Sequence, residues 1–183
     1  MKKLAVLSVL FIAFITSCTE ENNIVEENFF LGQTFEFNNV DFEYTLEEDP
    51  ANGPDDLELT ALVQIPNDIE VFESDAILTY RLESIEPDGQ GGSADSWVLL
   101  PVSYFIGDEN GDVIQYSSNH TFFDIEIKIT GNFDLDFLSD NEFNAYAQNQ
   151  IFRFVVVPSD FATNPTVDLN DINAVLGALN KID

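Results

Sequence analysis

The stretch FFDIEIKIT, residues 122–130, decides the fold class because apolar and polar residues alternate along it. A repeat of two residues is typical of a β-strand with one buried face and one solvated face. The polar members, Asp124, Glu126 and Lys128, are expected to face solvent. The apolar members are expected to face the core: Phe123, Ile125, Ile127 and Ile129.

Similar alternation on both sides of this stretch predicts further short strands. They are VDFEYTL (40–46), LELTALVQI (57–65), AILTYRLESI (76–85), WVLLPVSYFI (97–106), DVIQYSSN (112–119) and IFRFVVV (151–157). Asn110 and Gly111 tolerate positive φ, so they predict a hairpin between the strands at 97–106 and 112–119. The breaker-rich stretch PDGQGGSADS, residues 87–96, is interpreted as a loose loop. Residues 132–149 are interpreted as a long connection with one helical turn.

The C-terminal region changes to a repeat of three and four residues, which is typical of an amphipathic helix. Its apolar positions are Leu169, Ile172, Val175, Leu176 and Leu179. Asp168 is the expected N-cap, and the helix should end near Asn180. About seven short strands, one late helix and no strand–helix alternation predict a mainly β fold. We expect an antiparallel, Ig-like β-sandwich with a short C-terminal helix, formed by residues 29–183 as a single domain.

Residues 1–17, MKKLAVLSVLFIAFITS, have the organisation of a bacterial export signal. Lys2 and Lys3 precede twelve uncharged, predominantly apolar residues. This segment is shorter than the roughly 20 residues that a membrane-spanning helix needs. The ITSC motif that ends at Cys18 resembles the lipobox of bacterial lipoproteins, which is cut just before the cysteine. The resemblance implies a lipid on Cys18 and a firm membrane anchor, and the alternative is an ordinary secretory signal followed by a chance cysteine.

The core must be built without disulfides, because Cys18 is the only cysteine. Fifteen of the 17 phenylalanines follow residue 17, most of them at inward strand positions. We therefore expect the phenylalanines to form the core rather than a ligand surface.

The composition is strongly acidic, with 34 Asp and Glu against six Lys and Arg. Four of the basic residues follow residue 17, so the processed chain carries a net charge of about −30, which excludes a nucleic-acid-binding protein. Residues 18–28 are acidic with little to bury, and they are interpreted as a flexible tether. Their acidic cluster resembles the surface-export signal of Bacteroidota lipoproteins, although a plain linker explains the composition equally well.

Five segments in their order along the chain resemble a family of short flavobacterial (Bacteroidota) outer-membrane or surface lipoproteins of unknown function. They are SDAILTYRL (74–82), SWVLLP (96–101), NHTFFDIEI (119–127), NQIFRFVVVPSDFA (149–162) and VDLNDINAV (167–175). Some members carry a collagen-like Gly-Pro tract between lipid and domain, and this chain lacks it. The resemblance implies a surface lipoprotein and supplies no activity.

Residues suited to catalysis are few. His120 is the only histidine, and no G-x-S-x-G motif accompanies it. A Ser-His-Asp site and a zinc site are therefore both unexpected, and we expect no catalytic residue, bound metal or cofactor. His120 is interpreted as a solvent-facing residue at a strand end.

Two acidic stretches leave calcium binding open. GDENGD, residues 107–112, supplies three carboxylates within a turn. Residues 160–171 resemble a dockerin-type calcium loop, with oxygen donors at Asp160, Asn164, Asp168 and Asp171. Ala162 and Pro165 stand where such a loop has an oxygen ligand and a glycine, so we expect a capped helix start instead.

Aromatic side chains suggest a second function. Sugars stack on aromatic rings, and the candidates are Tyr80, Trp97, Tyr104, Tyr116 and Tyr146. The sequence thus predicts a non-enzymatic, lipid-anchored protein of the outer membrane, facing the cell surface, with a structural or interaction role. The alternative is a glycan- or nutrient-binding surface module.

Overall fold

Two antiparallel β-sheets form the body of the protein in a computed structural model, which describes residues 32–45, 58–106, 111–163 and 166–179. The strands in these residues are β1 (Gln33–Val40), β2 (Glu43–Tyr44), β3 (Glu58–Gln64), β4 (Asp75–Pro87), β5 (Ser93–Leu99), β6 (Val102–Phe105), β7 (Val113–His120), β8 (Asp124–Gly131) and β9 (Gln150–Pro158). One sheet has the order β1-β9-β4-β5 and the other has the order β2-β3-β8-β7-β6. The predicted mainly β antiparallel sandwich is confirmed, as is the short C-terminal helix, α3 (Ile172–Leu179).

The main core lies between the two sheets, and β8 supplies its centre. Ile125, Ile127 and Ile129 are all almost fully buried, as the alternation predicts. The prediction is wrong for Phe123, whose side chain is 74% exposed. Phe123 precedes the first residue of β8, and its backbone carbonyl oxygen accepts a 2.8 Å hydrogen bond from Ile65 N. The turn between β7 and β8 therefore sets its direction, and the strand repeat does not.

A second core covers the outer face of the four-stranded sheet. Phe152 and Phe154 of β9 point into the main core. Val155 and Val157 pack instead against α3 and the short helix α2 (Ser159–Ala162). Because both of its faces are covered there, the second half of β9, residues 154–157, is a continuous apolar run and does not alternate with polar residues.

The predicted strand over 97–106 is in fact two strands that belong to different sheets. Its first part is β5 and its second part is β6, with Leu100 and Pro101 between them. Proline has no N–H to donate to a strand ladder, so pairing stops there and the chain crosses from one sheet to the other. The supposed loose loop at 87–96 is a hairpin, because β4 continues to Pro87 and β5 begins at Ser93.

The connection over 132–149 contains more helix than one turn. A 3₁₀ helix at Leu135–Phe137 is followed by α1 (Asp140–Ala147). Ser139 and Glu142 form a reciprocal capping box at the start of α1. The start of α3 also differs from the prediction, because the oxygen of Asp171, rather than Asp168, accepts hydrogen bonds from the backbone N–H groups of Asn173 and Ala174.

Several predictions lie outside the described residues: the signal over 1–17, Cys18 with the acidic tether over 18–28, and the hairpin residue Asn110. Within the described part of the chain, no helix combines the length and apolar character needed to cross a membrane.

Candidate functional site

Each end of the sandwich is identified by the strands that begin or end there. At one end, β1 begins at Gln33, and the side-chain oxygen of Gln33 accepts a 2.9 Å hydrogen bond from Glu70 N. Glu70 lies in the connection between β3 and β4, which also contacts the turn between β7 and β8. We call this the Gln33 end. The opposite end carries the start of β7 at Val113 and the end of β6 at Phe105.

A cleft of about 710 Å³ opens at the Gln33 end, with the polar residues Gln64, Asn67 and Glu70 among those that line it. We call it the phenylalanine cleft, since two of its walls are Phe122 and Phe123, which are 49% and 74% exposed. Their rings meet edge to face with 6.3 Å between centroids. The other apolar lining residues are Phe37, Ile65, Pro66, Ile69 and Val71.

The turn holds the two exposed rings in place. The hydroxyl oxygen of Thr121 accepts hydrogen bonds from Phe123 N at 3.1 Å and from Asp124 N at 3.2 Å. Thr121 N in turn donates to the carbonyl oxygen of Asp124 at 2.9 Å. This closed set of bonds fixes the backbone of the turn, so the rings are presented to solvent by an ordered element.

A second, more polar groove of about 330 Å³ lies between the β4–β5 hairpin and the start of α3. We call it the tryptophan groove. Its lining residues are Glu86, Ala94, Asp95, Ser96, Trp97, Asn170, Asp171, Ile172 and Asn173. Carboxylates and side-chain amides of this kind hydrogen-bond to hydroxyl groups, and an indole ring offers an apolar face to a sugar.

Arg153 already occupies one face of Trp97. Its guanidinium carbon lies 4.0 Å from the centroid of the indole, which is a close cation–π contact. The same guanidinium is 2.8 Å from Glu36 and 3.8 Å from Asp95. A ligand that stacks on this face must therefore displace Arg153, whereas a ligand at the polar rim need not.

The five aromatic candidates do not share one face. Tyr80 is fully buried on the outer face of the four-stranded sheet, where its hydroxyl donates a 2.7 Å hydrogen bond to the carbonyl oxygen of Leu169. Tyr116 is fully buried between the sheets. Tyr104 contacts Tyr116 and Tyr146, with ring centroids 5.7 Å and 6.2 Å apart. Only Trp97 of this set lines the tryptophan groove.

Three of these tyrosines are held in the neutral form by their surroundings. Burial raises the pKa of Tyr104 to about 12, and the hydrogen bond to Glu83 adds to the effect. Burial also raises the pKa of Tyr80 and of Tyr116, in the case of Tyr80 with help from the charges of Asp171 and Asp168. These phenols therefore keep their proton to a higher pH than a tyrosine in water does.

His120 ends β7 and is exposed, as predicted. It lines a shallow depression of about 230 Å³ with Leu62, Asn119, Thr121, Asp124 and Glu126. Its Nδ1 lies 3.4 Å from the backbone carbonyl oxygen of Thr121. The imidazole thus interacts with its own turn.

In the described part of the second acidic stretch, residues 160–171, aspartate side chains accept hydrogen bonds from backbone N–H groups. Asp160 lies in α2, and the carboxylate of Asp168 accepts a 3.0 Å hydrogen bond from Asn170 N. Residues 107–110, Asn164 and Pro165 lie outside the described residues. Among the residues that are described, no three His, Cys, Asp or Glu side chains gather in a way that could hold a metal ion.

Sequence reasoning found Trp97 as a possible binding residue and missed the phenylalanine cleft. The signal for the cleft was the adjacent pair Phe122 and Phe123, because neighbouring residues of a strand point to opposite faces and both cannot be inward. Comparison with protein-family models, with curated proteins and with solved structures finds no match.

Proposed function

We propose that this protein is a lipid-anchored protein of the bacterial outer membrane, facing the cell surface, with a non-enzymatic interaction role. The observation that carries the proposal is the ITSC motif at Cys18 after a basic and then apolar leader. The described fold begins at Gly32, so thirteen residues separate Cys18 from it and can serve as a tether. The proposal extends to membership of the flavobacterial lipoprotein family that the sequence resembles.

The non-enzymatic role is supported by the use that the fold makes of its reactive groups. Tyr104 and Tyr116 pack around Arg81 within the core. Asp168 and Asp171 cap backbone turns. His120 interacts with its own turn. Both clefts are instead suited to binding, one through apolar rings and one through hydroxyl-binding side chains.

Cys18→Ala tests the anchor, with Thr19→Ala as the control because it leaves the ITSC motif intact. We expect the wild type and the control to fractionate with membranes and to gain the mass of a lipid. Cys18→Ala should lose that mass, and it should either keep residues 1–17 uncleaved or leave the membrane fraction. Degradation by a protease added to whole cells would support the surface location. Membrane association of Cys18→Ala with the same mass shift as the wild type would overturn the anchor.

The second candidate function is glycan binding in the tryptophan groove. The observation that favours it is the grouping of Trp97 with the polar side chains of Asp95, Asn170 and Asn173. Hydrogen bonds from such groups orient hydroxyls, while an indole contributes apolar contact.

Trp97 is the only tryptophan, so its fluorescence reports on this groove directly. Soluble glucans, mannans and galactans are the probes to titrate. Glycan binding predicts a saturable change in emission that Asn173→Ala weakens. His120→Ala is the control at a distant surface, and an unchanged emission spectrum with all three probes would remove this candidate.

A further inference from the structure

The phenylalanine cleft and the first residue of the described fold lie at the same end of the molecule. Gln33 is hydrogen-bonded to Glu70, which lines the cleft beside Ile69 and Val71. The chain that leads back to Cys18 therefore joins the described domain at the end that carries the exposed rings of Phe122 and Phe123.

The length of that segment limits how far this end can lie from its anchor. Fourteen residues separate Cys18 from Gln33. Even a fully extended chain of this length reaches no further than about 50 Å. A lipid on Cys18 thus tethers the Gln33 end of the domain, and not the opposite end, to the bilayer.

We propose that the phenylalanine cleft is a membrane-contact surface, and that Phe122 and Phe123 enter the headgroup region of the bilayer to which Cys18 is anchored. Aromatic and apolar side chains bind at this interface because their rings leave water while nearby polar groups remain hydrated. The inference rests on the lipid anchor proposed above. Contact by two rings is weak by itself, and the anchor makes it intramolecular.

The charge around the cleft selects the kind of lipid. Asp68, Glu70 and Glu73 are exposed in the same connection as Ile69 and Val71. These carboxylates are repelled by anionic headgroups and tolerate zwitterionic ones. The contact should therefore be stronger on phosphatidylcholine vesicles than on vesicles rich in phosphatidylglycerol.

The test uses the full lipidated protein in phosphatidylcholine vesicles that contain brominated acyl chains, which quench nearby indole fluorescence. Phe123→Trp places a second indole in the cleft, and its 74% exposure makes the substitution compatible with folding. Phe105→Trp is the matched control, because Phe105 is 82% exposed at the opposite end. Trp97 supplies the background emission in both variants.

We expect the added emission of Phe123→Trp to be largely lost and that of Phe105→Trp to be retained. Quenching of Phe123→Trp should weaken when phosphatidylglycerol replaces phosphatidylcholine. Equal quenching of both variants, or none of either in protein that remains vesicle-bound, would overturn the membrane contact and leave the anchor standing. Failure of the wild-type protein to gain lipid would instead refute the proposed function. If the protein instead forms a dimer in solution that shields the indole of Phe123→Trp from quenching, the cleft would be assigned to a second copy of the chain. That result would also overturn the proposal.

Discussion

The guanidinium of Arg81 lies between two tyrosine rings inside the sandwich, 4.9 Å from the centroid of Tyr116 and 5.1 Å from that of Tyr104. Its Nε and Nη2 donate hydrogen bonds of 3.0 Å and 2.8 Å to the side-chain oxygen of Gln150, which is itself buried. Its Nη1 lies 3.1 Å from Glu83, whose side chain is partly exposed. This arrangement satisfies a charge that would otherwise be costly to bury.

Arg81→Met should destabilise the fold by about 3 kcal/mol, because it leaves the buried side-chain oxygen of Gln150 without its donor while filling a similar volume. Lys128→Met is the charge-matched control. Lys128 pairs with Glu58 at 2.7 Å on the solvated face of the five-stranded sheet, so its loss should cost about 1 kcal/mol or less. Urea unfolding of the two variants measures both values, and equal losses would contradict the assignment of Arg81 to the core.

Alkaline pH should destabilise the protein through its buried tyrosines. The pKa values of Tyr80, Tyr104 and Tyr116 are all raised in the fold, so their stabilising contribution is complete below the unfolded value of 10.0. Above that pH the unfolded chain ionises first and stability falls, for Tyr104 up to a pKa of about 12. The free energy of unfolding should decline between pH 10 and 12, and Tyr104→Phe should reduce the slope of that decline. A flat alkaline profile would show that these phenols are accessible to water.

The N-cap of α3 is best tested by comparing two aspartates three residues apart. Asp171→Ala should cost about 1 kcal/mol, since its carboxylate accepts the N–H groups of Asn173 and Ala174 at 2.9 Å and 3.2 Å. Asp168→Ala removes the same charge, but the only hydrogen bonds described for that carboxylate are to Asn170 in the preceding turn. Its loss of stability should therefore be smaller. Thermal unfolding of both variants measures the two losses of stability. A larger loss of stability for Asp168→Ala would favour Asp168 as the N-cap, as the sequence predicted.

Two glycine substitutions should have opposite effects. Gly177 lies within α3, and a methyl group there meets nothing within 4 Å. Gly177→Ala should therefore stabilise the protein by about 0.5–1 kcal/mol, because alanine loses less backbone entropy than glycine when it becomes helical. A Cβ on Gly32 would clash with Cδ1 of Leu179, which is buried, so Gly32→Ala should destabilise the fold by about 1 kcal/mol or more. Equal melting temperatures for the two variants would mean that Gly32 does not pack on α3.

Local patterns predicted the elements whose surroundings are simple. β3 and β8 each have one buried and one solvated face, so their alternation gave both their position and their orientation. The apolar spacing of α3 likewise identified Ile172, Val175 and Leu179 as its buried face. The capping-box spacing of Ser139 and Glu142 was present in the sequence and could have revealed α1.

Other features depend on contacts between distant segments, which no local pattern contains. To predict that the chain crosses between the sheets at Pro101, one must know which sheet each of the two strands β5 and β6 joins. The phenylalanine cleft combines residues 65–71 with Phe122 and Phe123, and the tryptophan groove combines the β4–β5 hairpin with the start of α3. Trp97 could be nominated from the sequence, but its contact with Arg153 could not.

The position of the last strand has a consequence for how the protein is made. Among the described strands, β9 is the one neighbour of β1 in the sheet, and it separates β1 from β4. The first of the described strands must therefore wait for the last of them before the four-stranded sheet can close. A chain cut short before Gln150 would expose two unpaired strand edges and would be a substrate for proteases.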